Sequence, residues 1–278
     1  MSLREENKFD RLMECIREEQ IKVVSFDIFD TLLVRPVSRP TDLFQLIEEK
    51  TGEFNFREKR PEAEKWARAR LEEVKGEIEI ADIYNEYMER FDICRERASY
   101  LQEVEMQTEW ESLECRESVK TVYNAASQLG KEIIITSDMY LPKDFLEKVL
   151  IKNGYTNHRQ LFVSSDIKKS KKAGTLYEYI TKRYEKENIY GTHIIHIGDN
   201  YVNDVKKAEE IGWRAFYYPK AIEIFKQEVE KRGLKEELQS RRFNNYEVGK
   251  IANRLFDNPF VSYGKMEIRN CFDIFLAE

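Results

Sequence analysis

Four short segments of this 278-residue sequence carry side chains that could do chemistry together, and each follows an apolar run. Asp27 ends the run IKVVSFD, Ser137 ends KEIIITS, and HIIHIG is followed by Asp199 and Asp204. The fourth segment, SSDIKKSKK, offers several lysines. Taken singly, an aspartate at such a place more often forms a turn. Taken together, three carboxylates repel one another and raise at least one pKa unless a cation is present, and oxygen ligands with room for water suit Mg²⁺.

The elements that must position these residues are predicted by hydrophobic periodicity. Short apolar runs predict strands, and apolar residues three or four apart predict helices between them. Such alternation indicates an α/β fold with a Rossmann-like parallel sheet flanked by helices, whose ligands bind beyond the carboxyl ends of its strands. The predicted strands are 21–27, 131–137, 161–165, 193–198 and 214–218, and the helices that alternate with them lie near 119–129, 142–150, 174–187 and 202–211.

A long helical stretch interrupts this sheet domain. Apolar residues at three-to-four spacing predict amphipathic helices after the first strand, and Gly76 would end one of them. The predicted core therefore comprises residues 1–35 and 117–220, with an all-helical cap at 36–116. Because the cap leaves the chain just after the first strand, we expect it to roof the crevice. Residues 221–278 form a C-terminal extension with a charged helix and an aromatic-rich end.

Composition narrows the class of protein. The chain is 41% apolar and 12% aromatic, which suits a packed core. Its net charge is −6 with both signs interspersed, which argues against a nucleic-acid-binding face. No run approaches the roughly 18 apolar residues of a membrane span, so we expect no membrane partner and a cytoplasmic location. The placement of the three histidines, His158, His193 and His196, argues against a zinc site.

The order of the segments resembles the four motifs of the haloacid dehalogenase-like (HAD) hydrolase superfamily. The matching parts are FDIFDTLL, a hydroxyl after a long strand, a lysine followed by a Gly-initiated helix, and IGDNYVNDV. FDIFDTLLVRP and SDMYLP are also similar to a bacterial subgroup of predicted hydrolases within it. The resemblance implies a HAD-like core, a cap inserted between the first and second motifs, and hydrolase activity. It implies that Asp27 is a nucleophile that forms an aspartyl-phosphate.

The resemblance also implies a Mg²⁺ site around this nucleophile. Asp27, Asp199 and the backbone carbonyl of Phe29 would ligate the ion, with Asp204 acting directly or through water. The alternative role of Asp204 is that of an acid near a helix N-terminus, stabilised by the helix dipole.

Three further residues would surround the transferring phosphate. Ser137 would donate a hydrogen bond to its oxygens, whereas Thr136 would point to the opposite face of the same strand. Lys171 would neutralise its charge, and Lys172 is the alternative lysine. Asp138 is predicted to bind substrate together with Ser137 and Lys171.

Phe29 departs from the family pattern, because family phosphatases carry a second aspartate there that protonates the leaving oxygen and later activates water. Phenylalanine cannot transfer a proton, and such help is typically worth about 10²–10⁴ in rate. Asp138 or a cap carboxylate could replace it, the reaction could need no such proton, or the domain could bind a phosphorylated ligand without turnover.

We therefore predict first a Mg²⁺-dependent phosphatase of a small phosphorylated metabolite, second a dehalogenase-like hydrolase, and third a catalytically weak module that binds a phosphorylated ligand. Members that cleave carbon–halogen bonds also lack the second acid, but they lack the metal-binding aspartate that Asp199 provides. A response-regulator receiver uses similar residues, but its phosphorylated aspartate comes mid-chain and it has no cap. The apolar C-terminus also suggests a homo-oligomer.

Overall fold

The computed structural model describes residues 8–72 and 77–277. Its strands in chain order are β1 (Val23–Phe26), β2 (Leu33–Val34), β3 (Glu114–Cys115), β4 (Glu132–Ser137), β5 (Gln160–Val163), β6 (Ile194–Gly198) and β7 (Arg214–Tyr217). Five of them form a parallel sheet in the order β5-β4-β1-β6-β7. The strand that leads into Asp27 is therefore central, and all its residues are buried, as expected for a strand covered on both faces.

Helices flank the sheet and form the two regions outside it. In chain order they are α1 (Lys8–Arg17), α2 (Leu43–Thr51), α3 (Phe56–Glu72), α4 (Ile80–Phe91), α5 (Arg95–Ser112), α6 (Glu117–Gln128), α7 (Lys143–Lys152), α8 (Ser164–Ile167), α9 (Thr175–Glu185), α10 (Lys207–Glu210), α11 (Ala221–Lys231), α12 (Lys235–Ser240), α13 (Asn245–Phe256) and α14 (Lys265–Ala277). The predicted α/β class and its parallel sheet are confirmed.

One predicted strand was too long at its carboxyl end. The strand predicted over 161–165 ends two residues earlier, because Ser164 and Ser165 begin the one-turn helix α8. The hydroxyl of Ser164 accepts a hydrogen bond from the amide of Met139 at 2.9 Å. The neighbouring strand β4 ends at Ser137, which pairs with Val163, so Ser164 has no residue of β4 left to pair with.

The region between β2 and β3 contains the helices α2 to α5. Helices α3 and α4 pack along each other, and the buried Ile83, Tyr87 and Leu101 contribute to the core of this region. Gly76, predicted to end a helix here, lies outside the described residues. The strands β2 and β3 pair antiparallel, so the chain enters and leaves the helical region along two adjacent segments.

The last four helices of the described chain, α11 to α14, have a hydrophobic cluster of their own, built on Phe225, Phe256 and Phe272. They also contact the segment that enters the helical region. A Cβ atom on Gly249 in α13 would lie within 2.3–2.5 Å of backbone atoms of Val37, so only glycine permits this approach. Within the described part of the chain, we find no helix with both the length and the apolar character needed to cross a membrane.

Candidate active site

A cavity of about 400 Å³ lies at the carboxyl ends of the parallel strands. Its floor comes from loops that follow these strands, and its roof comes from the inserted helices, as predicted for a cap. Apolar side chains such as Phe29, Phe44 and Met139 also line it, and the floor carries most of the charged groups. The floor contributes Asp27, Ser137, Asp138, Lys171, Asp199 and Asp204, and the roof contributes Pro40, Thr41, Phe44, Glu64 and Glu109.

Asp27 lies at the centre of the floor and contacts a lysine. The Nζ atom of Lys171 lies 2.5 Å from Oδ1 of Asp27 and 2.6 Å from Oδ1 of Asp204. Asp27 and Lys171 are 6% and 3% exposed, so this contact is shielded from water. The structure thus places Lys171 beside Asp27, whereas the side chain of Lys172 is exposed.

Three carboxylates meet at this point. Asp27, Asp199 and Asp204 each offer an oxygen atom, and these atoms lie within 4.8 Å of one another. All three residues are buried. An oxygen-rich set of this kind could hold a hard divalent cation such as Mg²⁺.

Asp199 has a cation partner that does not belong to the predicted site. The Nζ atom of Lys220, just after β7, lies 3.0 Å from Oδ2 of Asp199 and 2.8 Å from Oδ2 of Asp30. Lys220 therefore joins the loop after β1 to the loop after β6, and its side chain lines the cavity.

Asp204 is held by a π-helical turn, Tyr201–Lys206, which replaces the first part of the α helix predicted near 202–211. Turns of this type are frequent at functional sites. The Oδ2 atom of Asp204 accepts a hydrogen bond from the amide of Asn200 at 2.8 Å. A Cβ on Gly198 would lie 2.4–2.6 Å from the Asp204 side chain, so glycine is required for this close approach.

Behind Asp204 lies a buried polar chain that sequence reasoning missed. His196 Nε2 lies 3.4 Å from Oδ1 of Asp204, and His196 Nδ1 lies 2.8 Å from the hydroxyl of Ser25. Ser25 in turn contacts the hydroxyl of Thr136 at 3.0 Å. Burial lowers the pKa of His196, which favours the neutral ring.

The electrostatics of the floor are dominated by burial and by the two lysines. Burial raises the pKa of Asp27, although Lys171 opposes the rise, and burial raises the pKa of Asp199 to about 6 against the pull of Lys220. Burial also disfavours ionised Asp204, but Lys171 and His196 together outweigh it, and the pKa of Asp204 lies below its ordinary value. A bound divalent cation would lower the pKa of Asp27 and Asp199, because it favours their ionised forms.

Ser137 and Asp138 follow β4 into the cavity but differ in their contacts. The hydroxyl of Ser137 is buried and has no hydrogen-bond partner among the described residues. Both carboxylate oxygens of Asp138 accept backbone amide hydrogens, from Lys171 at 2.7 Å and from Lys172 at 3.0 Å. Ser137 is thus available to an incoming group, whereas Asp138 is committed to the lysine loop.

Phe29 lines the cavity beside Arg35, the residue that follows β2. The guanidinium carbon of Arg35 lies 4.3 Å from the centre of the Phe29 ring. Arg35 also donates from Nε and Nη2 to both carboxylate oxygens of Glu109 in α5, at 2.9–3.2 Å. The Phe29 ring, which stands where family phosphatases carry the second aspartate, therefore lies against a buried ion pair between the segment after β2 and helix α5 of the roof.

The site residues that were predicted from the sequence and those that were not lie in different places along the chain. Those at strand ends all reach the cavity, because parallel strands present their carboxyl ends at one edge. Lys220, Arg35 and His196 were not predicted as site residues. Lys220 follows the last predicted strand, so its place after a strand end could have drawn attention to it.

The comparisons with known proteins agree with this geometry. A family model for haloacid dehalogenase-like hydrolases matches residues 21–212, and the chain belongs to this family. A comparison with curated proteins returned no match.

Solved structures with the same fold share little sequence with this chain. A haloacid dehalogenase-like family hydrolase from Xanthomonas campestris is 16% identical, covering 73% of this chain and 83% of its own, with a TM-score of 0.51. The L-2-haloacid dehalogenase RSc1362 is 14% identical, covering 71% and 86%, with a TM-score of 0.50. A protein described as a predicted phosphoglycolate phosphatase from Haemophilus somnus is 15% identical, covering 70% and 84%, with a TM-score of 0.46. At these identities the likeness concerns the fold.

Proposed function

We propose that this chain is a Mg²⁺-dependent hydrolase of a small phosphorylated metabolite and that Asp27 is its nucleophile. The observation that carries the proposal is the cluster of Asp27, Asp199 and Asp204, whose ligand atoms lie within 4.8 Å of one another. Three buried carboxylates at this separation need positive charge to stay ionised together. Phosphoryl transfer uses such positive charge to offset the charge of its transition state.

The donor set fits Mg²⁺ because it consists of carboxylate oxygens. Asp27 and Asp199 are proposed as direct ligands, with the backbone carbonyl of Phe29, while Asp204 acts directly or through water. When bound, Mg²⁺ supplies positive charge next to the nucleophile and the phosphate oxygens.

Asp27 is proposed to act by two displacements at phosphorus. One carboxylate oxygen of Asp27 forms a bond to phosphorus while the bond to the leaving oxygen breaks, and that oxygen departs with the electron pair. Water then attacks the phosphorus of the aspartyl-phosphate and loses a proton to solvent. The bond to Asp27 breaks, which releases inorganic phosphate and restores the carboxylate.

Lys171 and Ser137 are proposed to bind the phosphate oxygens. The ammonium of Lys171 lies 2.5 Å from Asp27, so an oxygen of a group bonded to Asp27 falls within its reach. The hydroxyl of Ser137, which no described residue engages, can donate to another oxygen. A buried hydroxyl without a partner costs free energy, and a bound phosphate would remove that cost.

Asp138 was predicted to bind substrate, and we now propose that it acts through Lys171 instead. Its two oxygens hold the amides of Lys171 and Lys172 and so fix the start of the lysine loop. Because both of its oxygens are occupied by these amides, we do not propose Asp138 as the missing proton donor.

Phe29 leaves the departing oxygen without an adjacent carboxylic acid. Among the cap carboxylates on the cavity, Glu109 is bound in a fork by Arg35, and Glu64 is paired with Arg60 and Arg68. Both carboxylates are therefore already engaged by arginines. We therefore propose that leaving groups of low pKa, which depart as anions without help, are cleaved fastest.

A dehalogenase-like hydrolase is the second candidate, and the missing acid favours it because displacement of a halide needs no proton donor. The presence of Asp199 disfavours it. In addition, Arg35, a cation close to the roof, is already engaged by Glu109, which leaves it unavailable to a substrate carboxylate.

The test is to measure release of phosphate from an aryl phosphate and release of halide from a 2-haloacid by the same preparation, with Mg²⁺ or with a chelator. We expect phosphate release that needs Mg²⁺ and no halide release. Halide release that survives the chelator would replace the proposal with the second candidate. Tight, Mg²⁺-dependent phosphate binding without turnover in either assay would indicate a binding module.

The proposed partner is this small substrate, rather than nucleic acid or a membrane. A cytoplasmic location and a homo-oligomer stay predictions.

A further inference from the structure

Arg116 stands out among the buried charged residues because its guanidinium contacts backbone carbonyls instead of a carboxylate. It lies between β3 and α6, where the chain leaves the cap, and it is 0% exposed. Within the described ranges no acidic side chain forms an ion pair with it, and Asp30, Asp199 and Asp257 act on it only over a longer distance. Burial accordingly lowers the pKa of Arg116 below its ordinary value.

The carbonyls that Arg116 binds belong to three separate parts of the molecule. Nη1 donates to the oxygen of Asp30 at 2.5 Å, and Nη2 donates to the oxygen of Pro219 at 2.9 Å. Nε donates to the oxygen of Asp257 at 2.9 Å. The ring of Tyr218 lies 4.6 Å from the guanidinium carbon. One side chain thus joins the loop after Asp27, the loop after β7 and the C-terminal helices.

Two of these contacts adjoin an ion pair on the cavity floor. Asp30 presents its carbonyl to Arg116 and its carboxylate to Lys220, and Pro219 directly precedes Lys220. The ammonium of Lys220 also lies 3.0 Å from Asp199. Arg116 therefore fixes the backbone on both sides of the pair that places a second ammonium group in the cavity.

Stability alone is a poor explanation for this arrangement. A buried charge without an opposite charge is unfavourable, and an apolar side chain of similar volume would avoid that cost. What only arginine provides is a planar fork that can bind several oxygen atoms in fixed directions. A side chain with this property can hold several backbone segments in fixed positions relative to one another.

We propose that Arg116 is a positioning residue that holds Lys220 and Asp30 in place for the reaction, and that it does so from the segment leaving the cap. The inference rests on the proposed function, because Lys220 would act by attracting the phosphate oxygens of a substrate. It makes the C-terminal helices part of the same assembly, since the third carbonyl bound by Arg116 comes from Asp257.

The main experiment is a double-mutant cycle with Arg116→Lys and Lys220→Met, measured as kcat and KM for an aryl phosphate at saturating Mg²⁺. A small displacement of a reacting group can cost about 100-fold in rate, so we expect Arg116→Lys to lower kcat by up to about 100-fold with little change in KM. If Arg116 acts through Lys220, the double variant is close to Lys220→Met alone. Losses that multiply in the double variant would overturn the proposal.

Two controls separate positioning from general damage. Arg159→Lys makes the same replacement at an exposed arginine paired with Glu132 and Glu187 near the opposite end of the sheet, and kcat should be unchanged. Leu12→Ala weakens the core at α1, far from the cavity, and should lower the melting temperature. When it is assayed below its melting temperature, this variant should keep its kcat. A loss of kcat in Leu12→Ala equal to that in Arg116→Lys would mean that reduced stability explains both.

Hydrogen exchange tests the same inference without activity. The amide of Leu33 donates to the carbonyl of Ile28, so exchange in a peptide spanning residues 27–34 reports on the loop that Arg116 holds. We expect faster exchange there in Arg116→Lys and unchanged exchange in α4. Unchanged exchange at 27–34 would overturn the positioning role. A wild-type protein that hydrolyses no phosphate ester would overturn only the proposed function.

If Arg116→Lys fails to fold, Tyr218→Leu removes the ring beside the guanidinium and leaves the carbonyl acceptors of Asp30, Pro219, Phe256 and Asp257 in place. We expect a smaller loss of kcat that vanishes in the Lys220→Met background. A loss that persists unchanged in that background would contradict the proposal.

Discussion

The interior of the cap and the carboxyl end of the sheet both bury several charged side chains, but they balance them differently. In the cap, Arg60 is 0% exposed and donates from Nε and Nη2 to the two oxygens of Glu105, each at 2.7 Å. Where the cap meets the core, Arg35 and Glu109 form a similar fork. Arg60 and Arg35 thus each have a carboxylate of their own, unlike Arg116 at the exit from the cap.

At the carboxyl end of the sheet, negative charge is in excess. Two lysines, Lys171 and Lys220, face four aspartates. The aspartates are Asp27, Asp30, Asp199 and Asp204. If all six groups are ionised, this set carries two surplus negative charges, which one divalent cation would neutralise. The cap thus pairs its buried arginines internally, whereas the surplus negative charge at the sheet edge is the reason for which we propose a divalent cation there.

The largest effect should follow from removing the nucleophile. Asp27→Asn keeps the size of the side chain but weakens its nucleophilicity, and we expect hydrolysis of an aryl phosphate to fall on the order of 10⁶-fold, as loss of the nucleophile does in a serine protease. Steady-state kinetics at saturating Mg²⁺ measure this. Asp166→Asn, at an exposed aspartate paired with Lys143, is the matched control and should leave the rate unchanged. Full activity in Asp27→Asn would show that another residue attacks phosphorus.

Substitutions in the interior of the cap should change the stability of the protein instead of its activity. Glu105→Gln removes the charge that faces buried Arg60 at 2.7 Å and leaves Glu64, at 3.3 Å, as its ion-pair partner. It also takes away one of the two acceptor oxygens that Arg60 and the Tyr84 hydroxyl share, so we expect a loss of about 3–5 kcal/mol in the free energy of unfolding. Denaturant unfolding measures the loss. Glu111→Gln, in the exposed pair with Lys50, should cost much less. Equal losses in the two variants would show that burial of an ion pair in the cap does not affect stability.

Cation affinity should separate the two kinds of carboxylate on the cavity floor. We expect Asp199→Asn to weaken Mg²⁺ binding by roughly 100-fold, the upper end of the loss seen when groups that support a metal ligand are changed. Asp30→Asn is the matched comparison, because Asp30 faces Lys220 but lies outside the cluster of three carboxylates, and its effect should be much smaller. Isothermal titration calorimetry measures both. A larger loss in Asp30→Asn would assign the cation to a different set of ligands.

The smallest effect concerns the missing acid. Phe29→Asp places a carboxyl group beside the departing oxygen, and we expect it to raise the rate for an alkyl phosphate by about tenfold, below the usual range for acid catalysis because the new side chain is not positioned by its surroundings. The ratio of alkyl to aryl phosphate turnover is the readout. Phe29→Leu, which changes the packing against Arg35 without adding an acid, is the control. A wild-type protein that already cleaves both substrates equally would place a proton donor elsewhere in the cavity.

Much of the fold and part of the site could be predicted from the sequence. Hydrophobic periodicity located the five strands of the sheet, and parallel topology then brought Asp27, Ser137 and Asp199 to one edge without any knowledge of contacts. Spacing selected Lys171 ahead of Lys172, and the structure places Lys171 beside Asp27.

The remainder depends on packing between distant parts of the chain. Lys220 and Arg116 lie outside the motifs, and their contacts with Asp30 and Pro219 join residues about 90 to 190 positions apart, which periodicity cannot reveal. His196 was considered only as a zinc ligand, although its place in a central strand puts it directly behind Asp204.

The central claim is that the surplus negative charge at the sheet edge binds Mg²⁺ so that Asp27 can accept a phosphoryl group. The most direct test mixes the protein with an aryl phosphate, quenches the reaction in acid at early times, and maps any phosphoryl group by mass spectrometry. We predict a phosphoryl group on the peptide containing Asp27 that forms with Mg²⁺ and is absent with a chelator. Turnover with no phosphoryl group on that peptide, or a phosphoryl group that forms equally without Mg²⁺, would contradict the account.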